Sequence, residues 1–381
     1  MTEKVFFTIS SAELVMGLLG ICNVTLPMSR FILWGFLAVY AVIVLRGYYS
    51  RSEKLLLGVL LVSGVLLYIN SGINTGIKAP IYLYALKNVD IKKYCKISFI
   101  VLAVTTIGIM IASIFAGFGT LYIMDVRSYR GFNGLRYSFG FSNPNRTMAV
   151  LLAIMLLFLH LYGDKIKWYG YIALAAAFTG LYYFINSRTA FFLGIFILIL
   201  SFCVNYVKWD NWNSIVFILF LVTFSGMLLV SVLAASHYES GWMARIDYAI
   251  SGRMSQLETY PGSENDALPF VENWHLFGSR LNQGGYDLGY VQIFYYYGIV
   301  PAICYLAFVI YVAVRAWKNK KTGQIVVLLG FCIYLFMENV YFSNFIPINF
   351  LLVYSGVIVW GIYEREKKKS VSGDFLPLYN S

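Results

Sequence analysis

Charge is what this sequence has least of. Only 12% of its 381 residues are charged and 60% are hydrophobic, whereas a soluble globular chain carries charge on about a quarter of its residues. A soluble fold is thereby excluded. The five cysteines, Cys22, Cys95, Cys203, Cys304 and Cys332, fall in or beside apolar segments with no CxxC pair and no cluster, so neither a disulfide framework nor a metal site is indicated. There is no Walker loop, GxGxxG, HExxH or GxSxG and no internal repeat, which argues against a nucleotide-driven pump and against the common hydrolases. Ionisable residues are scarce within the apolar segments, Glu13 being the main one, although ion-coupled transporters keep several near the bilayer midplane. The amino end lacks the basic flank, short apolar core and small-residue exit of a cleavable signal. Its first apolar segment is expected to remain as an anchor.

What is present is one apolar segment after another, with a mean hydropathy of +0.71. A helix needs roughly 20 apolar residues to cross a bilayer. Apolar windows predict spans over 5–24, 31–45, 55–69, 80–86, 97–117, 147–161, 169–185, 189–206, 214–236, 288–314, 324–337 and 345–362. The expected fold is therefore all-α: a polytopic transmembrane helical bundle of about 12 spans with one large extracytoplasmic loop. Residues 1–236 hold spans one to nine, 237–287 the large loop, and 288–381 spans ten to twelve with a basic cytoplasmic tail. Glu13 interrupts the first span and the fourth is short, so either could instead be interfacial or re-entrant.

The net charge of +11 is explained by topology, since positive residues collect in cytoplasmic loops, and no nucleic-acid partner is expected. With both termini cytoplasmic, the predicted inner loops after the second, fourth, sixth and tenth spans and the tail are basic. On that arrangement fifteen of the sixteen lysines lie inside and nine of the thirteen arginines outside. Topology does not distinguish the two residues, whereas bidentate recognition of phosphate or carboxylate favours arginine. The expectation is an anionic ligand on the outer face.

Three stretches carry that expectation. Residues 237–290 form the longest polar interval; they contain no lysine but hold Arg245, Arg253, Arg280 and His275 within or near FVENWHLFGSRLNQGGYDLGY. A second predicted outer loop ends GLRYSFGFSNPNR, supplying Arg136 and Arg146, with Asn143 and Asn145 as candidate caps of the following helix. An outward-facing helix N-terminus there would favour an anion. The sequence Asn186-Ser187-Arg188-Thr189 predicts a very tight connection that sets Arg188 beside the same place. Candidate proton acceptors are Asp287, His275 and Glu338; against these roles, Asp287 could cap the tenth span, His275 could be a surface hydrogen-bonder and Glu338 could simply pair with an arginine. Trp242, Tyr260, Trp274, Tyr286 and Tyr290 could offer aromatic faces to sugar rings, or form an interfacial belt.

These patches, together with SRT, SGRMSQLETY, LFGSR and YDLGYVQIFYYYGIVPAI, resemble the O-antigen and capsular polysaccharide polymerases (the Wzy family) and the related O-antigen ligases. The resemblance implies a metal-independent membrane glycosyltransferase without cofactor, in the bacterial cytoplasmic membrane. It would join polyprenyl-diphosphate-linked oligosaccharide repeat units on the outer face, with the lipid bilayer and other capsule-assembly proteins as its surroundings. By motif match it implies Arg136, Arg146, Arg188, Arg253 and Arg280, with Asn145 and Tyr290, as the residues around the lipid diphosphate. Relatives often show Asp-Asn-x-Tyr where this chain has Asp287-Leu288-Gly289-Tyr290. An O-antigen-ligase-type transfer to a different acceptor and a lipid-linked saccharide exporter are the rival readings.

Overall fold

Most of the apolar windows become helices whose ends fall at capping and turn residues. The computed structural model describes residues 2–24, 29–127, 132–237, 241–242, 245, 247, 252–254, 257, 270–282, 286–339 and 345–371. Much of the predicted large loop, including Tyr260, lies outside them, as does the end of the tail. The first nine helices are α1 (Thr2–Ile21), α2 (Ser29–Leu45), α3 (Arg51–Ser71), α4 (Thr75–Leu86), α5 (Ile91–Ala116), α6 (Pro144–Tyr162), α7 (Trp168–Ile185), α8 (Arg188–Tyr206) and α9 (Trp212–His237). They are followed by α10 (Gly289–Tyr297), α11 (Ile299–Lys318), α12 (Thr322–Met337) and α13 (Phe350–Val371). Eight of these helices are long and apolar enough to cross a membrane, and α2 and α12 are shorter apolar helices. By length and composition this is a multi-pass helical membrane protein.

Four expectations need correction. The chain is not purely α-helical: β1 (Tyr122–Arg127) and β2 (Phe132–Tyr137) pair antiparallel, with Ile123 opposite Arg136. Six-residue strands are too short to stand out from loop sequence. The first span is not interrupted at Glu13. Helix α1 runs through it, because Tyr40 of α2 donates to one carboxylate oxygen at 2.8 Å and the backbone N–H of Ile346 to the other at 3.0 Å. The twelfth span begins later than expected, since Ile346–Ile348 form a buried 3-10 turn before α13. The tenth is two helices, broken at Gly298.

Gly298 has φ +88°, a conformation open to glycine. The break lets the backbone N–H groups of Ile299 and Val300 bond the carbonyls of His275 and Leu276 at 2.9 and 3.1 Å. The loop before α10 is thus stitched to the start of α11. Asn282 adds a second stitch, its side-chain amide donating to the carbonyls of Asn273 and Tyr295.

Gly298→Ala should therefore lower the melting temperature of the detergent-purified protein and its folded yield. A Cβ there would stand 2.2 Å from the backbone nitrogen of Gly278, and strained backbone alone costs on the order of 1–3 kcal/mol. Gly35→Ala, where a Cβ meets nothing within 4 Å, is the control; equal melting curves for the two variants would remove the break from the account of the fold.

Candidate functional site

The β1–β2 hairpin turns alternate side chains to opposite faces. Leu135 is exposed while Arg136 points inward and is buried. There its Nε donates to the carbonyl of Ile185, the last residue of α7, at 3.2 Å. Asn186 follows in the left-handed conformation at φ +52°, and α8 starts at Arg188. The tight connection expected between the two helices is present, and the buried carbonyl of Ile185 at its start accepts an arginine from another loop.

Helix α6 begins at Pro144 with Asn143 as its cap, the Asn143 carboxamide oxygen accepting the N–H of Arg146 at 2.9 Å. That leaves Asn145 free of capping. Its Oδ1 accepts Nη2 of Arg136 at 3.1 Å, and its Nδ2 donates to Oε1 of Glu338 at 2.8 Å. An amide between a guanidinium and a carboxylate can satisfy both in one orientation only. The backbone carbonyl of Asn145 accepts the hydroxyl of Tyr334, one turn earlier on α12 than Glu338.

Glu338 is the residue immediately beyond α12, its N–H bonded to Tyr334. The same Oε1 accepts Nη2 of Arg253 at 2.5 Å. Arg253 is 6% exposed and Glu338 3%, so the pair is out of water. Asp287 lies close enough to act electrostatically on both. Burial pushes the Glu338 carboxyl up to about 7 from an ordinary 4.5, with Asp287 adding to the rise and Arg253 and Arg136 opposing it. For Arg253, burial disfavours the charge, but Glu338 and Asp287 outweigh it and raise the guanidinium above its usual range. Nε and Nη1 of Arg253 have no hydrogen-bond partner among the described residues. Unpaired buried donors of this kind cost roughly 1–3 kcal/mol each.

Among the candidates, the structure thus brings together Arg136, Arg253, Asn145, Glu338 and Asp287. Arg146 stands next to them in sequence and donates Nη1 to Ser142 at 2.8 Å, and Arg188 is exposed at the start of α8. Arg280 is exposed elsewhere on the rim, reaching the carbonyl of Ile69 near the end of α3 at 3.4 Å. His275 takes part through its backbone in the stitch to α11. Asp287 does not cap α10, whose cap position is Leu288.

Three aromatics offered as sugar platforms serve packing. Tyr290 is fully buried between Phe224 and Phe336 with its hydroxyl on the carbonyl of Cys332. Trp274 stacks on Phe294 at 4.6 Å, and Tyr286 meets Tyr295 edge to face. Trp242 is exposed. Tyr334 and the carbonyl of Ile185 escape a sequence reading. Neither is marked by anything except its distance from a turn.

Family models, curated proteins and solved structures give no match to this chain.

The raised Glu338 carboxyl has a measurable consequence. Between pH 4.5 and about 7 the unfolded chain has released a proton that the folded site retains, so the group's stabilising contribution is complete below about 4.5 and is lost as pH rises through about 7. Melting curves of the wild type should accordingly drop relative to Glu338→Gln between pH 5 and 8. The difference is on the order of 3 kcal/mol at about 1.4 kcal/mol per unit. A wild-type-minus-variant difference that does not change over this range would mean that Glu338 is ionised throughout.

Proposed function

We propose that this chain is a polysaccharide polymerase that joins polyprenyl-diphosphate-linked repeat units at the outer face of the bacterial cytoplasmic membrane. The observation that carries the reading is the meeting of Arg136 and Arg253, from distant loops, around one buried carboxylate at the end of an apolar bundle. Nε and Nη1 of Arg253, which have no hydrogen-bond partner among the described residues, suit phosphate oxygens. The motif resemblance to the Wzy polymerases and the arginine-for-lysine bias of the predicted outer loops point the same way.

In this reading the polyprenyl tail stays in the bilayer while Arg253 and Arg136 hold the diphosphate, with Arg146 and Arg188 adding positive charge nearby. A hydroxyl of the acceptor repeat unit attacks the anomeric carbon of the donor saccharide. The bond from that carbon to the diphosphate oxygen breaks, and its electron pair leaves with the polyprenyl diphosphate. Fixed guanidinium groups in a low-dielectric site stabilise this growing charge. The hydroxyl proton passes to a carboxylate, for which Asp287 is the accessible candidate.

The test is to supply the purified protein with synthetic lipid-diphosphate repeat units and resolve the products by size. A ladder supports the polymerase; transfer to a different acceptor alone would make it a ligase, and no transfer at all refutes both. Arg253→Lys should lower ladder yield per folded protein about ten- to a hundredfold, since one charge-assisted contact of roughly 1.5–3 kcal/mol is lost. Full activity in that variant would remove Arg253 from the site.

The orientation is tested separately. In a cysteine-free background, a single cysteine at Leu281 should react with an impermeant reagent on intact cells and one at Lys54 should not. The opposite pattern would overturn the outer-face assignment.

A further inference from the structure

The carboxylate in this cluster is in the wrong place for a site that only binds anions. Glu338 sits where its charge cancels that of Arg253, and Asp287 stands beside both. With Arg136 the four charges sum to none, so a dianion entering next to them meets two carboxylates as well as two guanidinium groups. At low dielectric a like charge a few ångströms away is costly.

The geometry offers a way to remove one carboxylate charge without taking the cluster apart. Both hydrogen bonds to Glu338, from Asn145 and from Arg253, go to the same oxygen, Oε1. Oε2 is hydrogen-bonded to none of the described residues, so a proton can be added there while both bonds on Oε1 persist. On Arg253, Nη2 is committed to Glu338, while Nε and Nη1 remain available. The pair therefore holds two buried, unpartnered guanidinium nitrogens flanking Nη2, and an oxygen that can become a donor.

We propose that a diphosphate binds here together with a proton, its oxygens bonding Nε and Nη1 of Arg253 while Glu338 takes up one proton from solvent on Oε2. The balance is one anion and one proton bound, with no covalent bond to the ligand made or broken. Glu338 then donates to the bound anion instead of repelling it. The groups facing it are Arg253 from the loop before α10, Arg136 from β2, Asn145 from α6, Asp287 at the entry to α10 and Tyr334 of α12. Of these, Asp287 is the other group able to take the proton. The raised affinity of the Glu338 carboxyl for protons means that this uptake needs little free energy near neutral pH. The proposal rests on the diphosphate reading above for the identity of the anion, and it divides the labour of the two carboxylates: Glu338 carries a proton when the donor is bound, and Asp287 remains as the acceptor.

The probe is a diphosphate esterified with methyl groups at both ends, whose two charges do not titrate between pH 5 and 9. Its binding to the purified full chain in detergent is measured by calorimetry at several pH values and in buffers of different ionisation enthalpy. The expected result is uptake of about one proton per ligand at pH 8 and an affinity that weakens about fivefold from pH 7 to pH 8 and about tenfold from pH 8 to pH 9, as linkage to one proton requires. In Glu338→Gln, which keeps an oxygen for the two existing hydrogen bonds, uptake should vanish and the affinity should become independent of pH. The wild-type proton count stands alone as a test should that variant fold poorly. Binding with no uptake and a flat pH profile would overturn the coupling and leave the diphosphate reading intact. Uptake that persists in Glu338→Gln and disappears in Asp287→Asn would also overturn it, placing the proton on Asp287. No binding to folded protein at any pH would sink the coupling and the diphosphate site together.

Discussion

A charge buried at the edge of an apolar bundle must be held by another charge or by hydrogen bonds, since leaving it alone costs several kcal/mol. That constraint ties β2, α6, α12 and the loop before α10 to a single point. Arg136 cannot be buried without the carbonyl of Ile185 and the amide of Asn145, and Asn145 in turn needs Glu338. Arg253 closes the chain of contacts. The ends of α6, α7 and α12 are consequently tied to one another in addition to the packing of α6 on α7 and α12. The same arrangement leaves part of Arg253 unsatisfied, and a group so costly to bury is informative about what it is for.

The second buried carboxylate, Glu13, obeys the same rule to a different end. Tyr40 and the backbone N–H of Ile346 each donate to one of its two oxygens, and Lys78 of α4 is near enough to offset its charge. Its effect is to draw the 3-10 turn before α13 down against α1, where Ile346, Pro347 and Ile348 are buried. That turn belongs to the connection that starts at Glu338, so one buried carboxylate anchors the far end of the segment whose near end enters the cluster. At the opposite end of the bundle, Lys87 meets Glu53 at 2.5 Å beneath the ring of Tyr363. It joins α3, α4 and α13 there.

Breaks in regular structure do the positioning. Gly298 divides what reads as one long apolar helix, and the backbone groups released at the break hold the loop at His275 and Leu276. Asn186, in a left-handed turn, lets α7 and α8 reverse within two residues and leaves the carbonyl of Ile185 for Arg136. The hairpin aims Arg136 inward only because its neighbours Leu135 and Tyr137 point the other way. In each case a local departure from helix makes backbone or side-chain groups available to a residue remote in sequence.

By itself the sequence determined the membrane class, most helix positions, the cap at Asn143, the tight turn at Asn186 and the set of arginines worth considering. These depend on hydrophobic windows, turn propensities and residue type, all of which are local. Only the tertiary structure decided which candidates meet. The bond from Asn145 to Glu338 spans 193 residues, the one from Arg253 to Glu338 spans 85, and the one from Ile346 to Glu13 spans 333. No pattern in a short window encodes such a pairing. For the same reason Tyr290 and Trp274 read as available aromatic faces until their neighbours across the bundle are known, and Arg280 reads as the equal of Arg253. Burial separates those two arginines: it makes the charge of Arg253 dependent on Glu338, while that of Arg280 remains in reach of solvent.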